Sequence, residues 1–161
     1  MKVLVIYFSL TDRTKLVAES IAAELSNHEV DIESISYTKG KKLSNFKEEA
    51  EKVQAGDLSS FAYNEQIFNI TPYELICIGV PTWGMQPSFV FNAIVEKCGS
   101  FDGKAVVVFT TCRMYGGRTV KKMKREIEKK GGNVIHKKSF RAFFTMHDEK
   151  ARAFGKILNQ N

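Results

Sequence analysis

The sequence predicts a three-layer, doubly wound α/β fold: five parallel strands in one sheet, with helices on both faces. Three observations predict it. Residues 3–8, 75–80 and 105–109 are unbroken apolar runs of strand length, as strands buried on both faces require. Between these runs the apolar residues recur at spacings of three and four, the period of a helix packed by one side. Strand and helix alternate five times in this way, and parallel strands need a crossover of this kind at every return.

The first strand, residues 3–8, stops at Ser9. From Leu16 onward Val17, Ile21 and Leu25 share one helical face with Ala18 and Ala22 beside them. The joint is Ser9-Leu10-Thr11-Asp12-Arg13-Thr14, three hydroxyls in six residues. The first N–H groups of a helix lack intrahelical partners and sit at the positive end of its dipole. A buried strand entering a helix through a short hydroxyl loop therefore forms a phosphate site. The alternative is that one of the hydroxyls simply caps the helix.

The second strand, residues 30–36, has a wet face and belongs at or near a sheet edge. A long polar stretch follows, opening with Lys39-Gly40-Lys41-Lys42. Within it Phe46, Ala50 and Val53 predict a helix over 44–55, ended by Gly56-Asp57. Residues 58–70 show no period and read as a covering loop. The third strand, 73–80, runs into Pro81-Thr82-Trp83-Gly84-Met85-Gln86-Pro87-Ser88, where Pro87 or Ser88 opens a helix carrying Phe89, Val90, Ala93 and Ile94. The fourth strand, 104–111, exits through Cys112-Arg113-Met114-Tyr115-Gly116-Gly117, and the next helix aligns Val120, Met123 and Ile127 before Gly131-Gly132. A more mixed fifth strand covers 133–144. Met146-His147-Asp148 then leads into a last helix with Ala151, Phe154 and Leu158 on one side.

The 161 residues suit one domain, 1–161, and show no repeat or linker. The apolar start is too short for a secretory signal or a membrane span, so the expectation is a cytoplasmic chain whose three cysteines stay reduced. An odd cysteine count without C-x-x-C argues against a disulfide scaffold or a zinc site. The net charge of +6 suits an acidic partner, a nucleic acid or plain solubility.

In a doubly wound sheet the site lies outside the carboxyl ends of the strands, where strand order reverses. The first, third and fourth strands are the uniformly apolar, central ones. Their exit loops, at 9–14, 81–88 and 110–117, therefore converge. The first offers phosphate donors, the second Trp83, and the third Tyr115 with Gly116 and Gly117 allowing close backbone approach. A phosphate loop beside an exposed indole suits a ligand with a phosphate and a planar ring. The alternative for Trp83 is packing on its own loop or on the neighbouring helix.

Across the whole chain these motifs resemble the flavodoxin-like proteins: Tyr7-Phe-Ser9-Leu-Thr11-Asp-Arg-Thr14, then Gly79-Val-Pro-Thr-Trp83-Gly-Met-Gln-Pro87, then Phe109-Thr-Thr-Cys112 with Gly116-Gly117. The resemblance implies a strand order of 2-1-3-4-5 and non-covalent flavin mononucleotide (FMN). It implies that Ser9, Thr11 and Thr14 hold the phosphate, with Arg13 near it. It places Pro81, Thr82, Trp83, Gly84, Thr111, Cys112, Tyr115 and Gly116 around the ring. The implied activity is electron transport, either as a shuttle or as an FMN-dependent NAD(P)H:quinone or related oxidoreductase, with no acid–base catalytic residue and no metal. Two departures stand out. The family usually has Gly-Asn where this chain has Asp12-Arg13, so Asp12 is expected to face solvent. Electron-carrying flavodoxins are typically acidic and this chain is basic, so its redox partner protein is expected to be acidic, or its task is other than free carriage.

Three other readings compete. Cys112 and Arg118 have the C-x5-R spacing of cysteine phosphatases. The lysines and arginines of 121–130 suggest nucleic acid, but Glu126 and Glu128 interrupt them without an interleaved aromatic platform, so a solvated helix face is the better account. A flavin-free interaction module on the same fold is the third.

Overall fold

The computed structural model describes residues 1–141 and 148–160. Five long strands form the body of the sheet: β1 (Lys2–Phe8), β2 (Glu29–Tyr37), β4 (Leu75–Trp83), β6 (Ala105–Cys112) and β7 (Asn133–Arg141). They pair in parallel in the order β2-β1-β4-β6-β7, which is the expected 2-1-3-4-5. The expected continuation of the last strand to 144, and the Met146-His147 lead into the last helix, lie outside the described residues.

The sheet also carries two short antiparallel additions that the sequence reading lacked. β3 (Phe61–Ala62) pairs with the end of β2, inside the segment read as a covering loop. β5 (Gln86–Pro87) folds back on β4, pairing Trp83 with Gln86 and Thr82 with Pro87. Pro87 is therefore a strand residue, and the helix behind it starts later than expected, at Val90.

The helices are α1 (Arg13–Glu24), α2 (Phe46–Gln54), α3 (Val90–Cys98), α4 (Gly117–Lys129) and α5 (Asp148–Leu158). Strand alternation splits the core in two. Leu4, Ile6 and Phe8 of β1 join Ile94, Met123 and Ile127 on the face covered by α3 and α4. Val3, Val5 and Tyr7 point the other way, to Val17, Ile21, Phe154 and Leu158 of α1 and α5. A strand that feeds two separate cores must be apolar at every position, which is why 3–8 shows no alternation. On β2 the alternation reappears because one side is wet: Ile35 is 1% exposed and Ile32 40%. Gly79 of β4 carries the ring of Phe109 directly on its α-carbon. A Cβ there would lie 2.1 Å from Phe109 Cζ.

Candidate functional site

The carboxyl ends of β1, β4 and β6 bring the three loops together around a cleft of about 330 Å³. Its walls include Ser9, Thr11, Arg13 and Thr14 from the first loop and Pro81, Thr82 and Trp83 from the second. Thr111 and Cys112 come from the third, and Leu10 and Arg113 complete the lining. Gly84, Tyr115 and Gly116, expected around the same site, do not line it.

The first loop is shorter than its sequence suggested, because α1 already begins at Arg13. Asp12 is the residue before the helix and adopts a left-handed conformation, φ 64°. That is the position where the related motif has glycine, and Asp is among the few other residues that tolerate it. Neither Asp12 nor any of the three hydroxyls caps α1 through its side chain. The amide end of α1 thus opens on the cleft, with no acidic residue in its first turn to offset the dipole.

The three hydroxyls differ in their surroundings. Ser9 Oγ is buried without a hydrogen-bond partner. Thr14, 1% exposed, shares a 2.8 Å hydroxyl–hydroxyl bond with Thr111 and so ties the first loop to β6. Thr11 is exposed at the rim. Thr82 is held by a second chain of hydroxyls: its Oγ1 donates to Thr119 at 3.0 Å and lies 2.8 Å from Thr110 Oγ1, which donates to the Val80 carbonyl at 2.7 Å.

The cleft is electropositive. Two guanidiniums, Arg13 and Arg113, line it, and none of its lining residues is a carboxylate. Asp12 is exposed and ion-paired with Lys41 of the polar stretch, as its expected solvent-facing position allows. The Lys41 ammonium holds the Asp12 carboxyl below its usual range.

Trp83 is half-buried and sits in an aromatic cluster, edge-on to Phe8, Phe46 and Phe89 at 5.3–5.6 Å between centroids. Packing and cleft lining are therefore both true of it. Phe46, half exposed at the start of α2, belongs to this cluster. The sequence placed it only on a helical face, since nothing local tells that α2 folds back over the second loop. That loop is a two-residue hairpin whose tip, Gly84-Met85, has φ 56° and 64°. This is the paired left-handed backbone of a tight hairpin turn, and it carries Gly84 away from the cleft.

Tyr115 and Gly116 border a different cavity of about 570 Å³, between the end of β7 and α5. A Cβ on Gly117 would fall 2.7 Å from Tyr115 Oη, so the Tyr115 ring is folded down onto the start of α4. Cys112 borders both cavities. Burial pushes its thiol up from the ordinary value, with Arg141 acting the other way, and Sγ lies 3.8 Å from the Phe140 carbonyl. That is a poor setting for a thiolate nucleophile, and it weighs against the phosphatase reading. Among the described residues no group of His, Cys, Asp and Glu is placed to hold a metal, and no helix is long and apolar enough to cross a membrane.

No curated protein sequence matches this chain significantly. Solved structures do. A WrbA-like flavodoxin of Agrobacterium tumefaciens aligns over 99% of this chain and 95% of its own, with a TM-score of 0.69 at 17% identity. A flavoprotein of Bacteroides eggerthii aligns over 97% and 96%, with a TM-score of 0.66 at 23% identity. A flavoprotein of Lactobacillus acidophilus, solved in complex with FMN, aligns over 86% and 92%, with a TM-score of 0.65 at 20% identity. These likenesses establish a shared fold. The family model described as flavodoxin matches residues 2–153, and so, with the three loops gathered where that fold gathers them, this chain belongs to the flavodoxin family.

Proposed function

We propose that the protein binds FMN non-covalently in the 330 Å³ cleft and acts as an electron-transfer flavoprotein. The observation that carries this reading is the buried, unpartnered Ser9 Oγ beside an uncapped helix start. A buried hydroxyl without a partner is costly, and a phosphate oxygen at this place would satisfy it together with the free amides of α1. Arg13 would add charge to that grip. Trp83, braced by three aromatic neighbours, would offer a fixed face to the ring. Thr82 and Thr111, fixed by their hydroxyl partners, would hold the cleft wall in place.

Bound FMN supplies one- and two-electron redox chemistry, while the protein supplies position and electrostatics. Arg113 beside the ring would favour the form with more negative charge, raising the potential. A basic rim and a net charge of +6 favour an acidic redox partner. The same site would also serve an FMN-dependent NAD(P)H:quinone oxidoreductase, and turnover with NAD(P)H and a quinone separates that role from shuttling.

The test is the visible spectrum of the purified protein, before and after addition of FMN. Yellow flavin bands that remain after gel filtration and are released on denaturation support the proposal. A colourless protein that takes up no flavin from excess defeats it.

A further inference from the structure

We propose that the 570 Å³ cavity between the end of β7 and α5 is a second binding site, separate from the flavin cleft, for a small organic anion with a planar aromatic body.

Charge is the first argument. Lys138, Arg141 and Lys150 line the cavity, and no carboxylate does among the described residues. Elsewhere on the protein, Lys124, Lys129, Lys130 and Arg152 are each ion-paired with a glutamate or aspartate. None of the three lining cations makes such a pair among the described residues. The start of α4, without a side-chain cap at Gly116, adds its positive end to the same space.

The second argument is the apolar wall. Met114, Tyr115 and Ile157 are 70%, 56% and 50% exposed, and all three border this one cavity. The Tyr115 ring is seated against the α-carbon of Gly117, which any side chain there would disturb, so it offers a fixed flat face. An inorganic anion would use the cations and leave this wall wet. A neutral hydrocarbon would cover the wall and waste the cations. An aromatic sulfonate or carboxylate uses both. The larger cavity between α2, α3 and α4, about 640 Å³, lacks this bias, because Glu96 and Glu126 stand among its lysines. Cys112 borders both the proposed site and the flavin cleft, so the two are neighbours.

The test is calorimetric titration with 1-anilinonaphthalene-8-sulfonate, an aromatic sulfonate, with and without excess FMN. One saturable site is expected, unaffected by FMN. The Arg141→Glu/Lys150→Glu variant should bind at least tenfold more weakly, and Tyr115→Ala severalfold more weakly. Lys130→Glu, at the larger cavity, should bind like the parent. Arg141 and Lys150 are exposed and Lys130 is half-buried, and circular dichroism establishes that the variants are folded. Displacement of the probe by FMN, absence of saturable binding, or parent-like binding by the double variant overturns the proposal. Uptake of FMN is read separately from its spectrum, so failure of the flavin reading leaves this result interpretable.

Discussion

Replacing Ser9 with alanine should have opposite effects on the flavin-free and the flavin-bound protein. Ser9 Oγ is buried and unpartnered. Leaving such a group without a hydrogen bond costs about 1–3 kcal/mol. The Ser9→Ala variant without flavin should therefore be more stable by about 1–2 kcal/mol, a Tm rise of roughly 2–6 °C for a domain of this size. The same hydroxyl facing a phosphate would make a charge-assisted bond worth about 1.5–3 kcal/mol, so the variant should bind FMN roughly 10–100-fold more weakly. Thermal denaturation gives the first number and fluorescence-quenching titration the second. Ser88→Ala is the control. Ser88 Oγ is also buried without a partner, but it does not line the cleft. It should stabilise the protein and leave FMN affinity alone. The reasoning fails if Ser9→Ala binds FMN as the parent does, or if the two serines behave alike.

The other predictions test separate parts of the structure. Asp12→Gly keeps the left-handed backbone that glycine adopts freely and releases Lys41 from its ion pair; FMN affinity should rise about three- to tenfold at low salt, with the gain shrinking as salt is added. Arg113→Ala should lower the flavin potential; an interaction worth tenfold in a one-electron equilibrium is about 59 mV, so redox titration should show a fall of that order. Gly79→Ala places a Cβ within the ring of the fully buried Phe109 and should cost at least about 2–3 kcal/mol in denaturant unfolding, partly recovered by Phe109→Leu. Glu49 is buried and paired with Lys39 at 2.8 Å, which holds its carboxyl below the usual range. A depressed folded-state pKa contributes stability that is complete above the unfolded value of about 4.3 and lost as pH falls through the folded one. Glu49→Gln should thus be less stable than the parent at pH 7, with the difference closing below about pH 4.

The long strands and the cleft were legible because a strand with a core on each side leaves no polar position, and the ends of such strands converge by topology. What stayed hidden was decided between distant residues. Phe61–Ala62 is a strand only because the end of β2 lies open beside it. The hairpin at Gly84-Met85 escaped notice because methionine rarely takes a positive φ, and no Asn-Gly or Asp-Gly marks the turn. Tyr115, expected beside the ring, borders the cavity next to α5 and not the cleft. Its direction follows from the missing side chain of Gly117 and from the space beside α5. The role of Asp12 depended on Lys41, 29 residues away in a stretch with no period of its own.

The spacing Ser-x-Thr-x-x-Thr suggests three equal phosphate ligands, and the structure separates them. Thr14 is already engaged: its bond to Thr111 joins the first turn of α1 to β6 and so fixes where the helix amides point. Thr11 stands exposed at the rim, where water competes for any contact it makes. Only Ser9 combines burial with an open valence. The grip on an anion would then rest on Ser9, the α1 amides and Arg13, while Thr14 acts as a strut. On that division of labour, loss of Thr14 would loosen the loop in the protein with or without ligand, whereas loss of Ser9 would weaken ligand binding while relieving the flavin-free protein of a buried, unpaired hydroxyl. The motif is better read as one ligand, one tether and one rim hydroxyl around a helix start that lies open to the cleft.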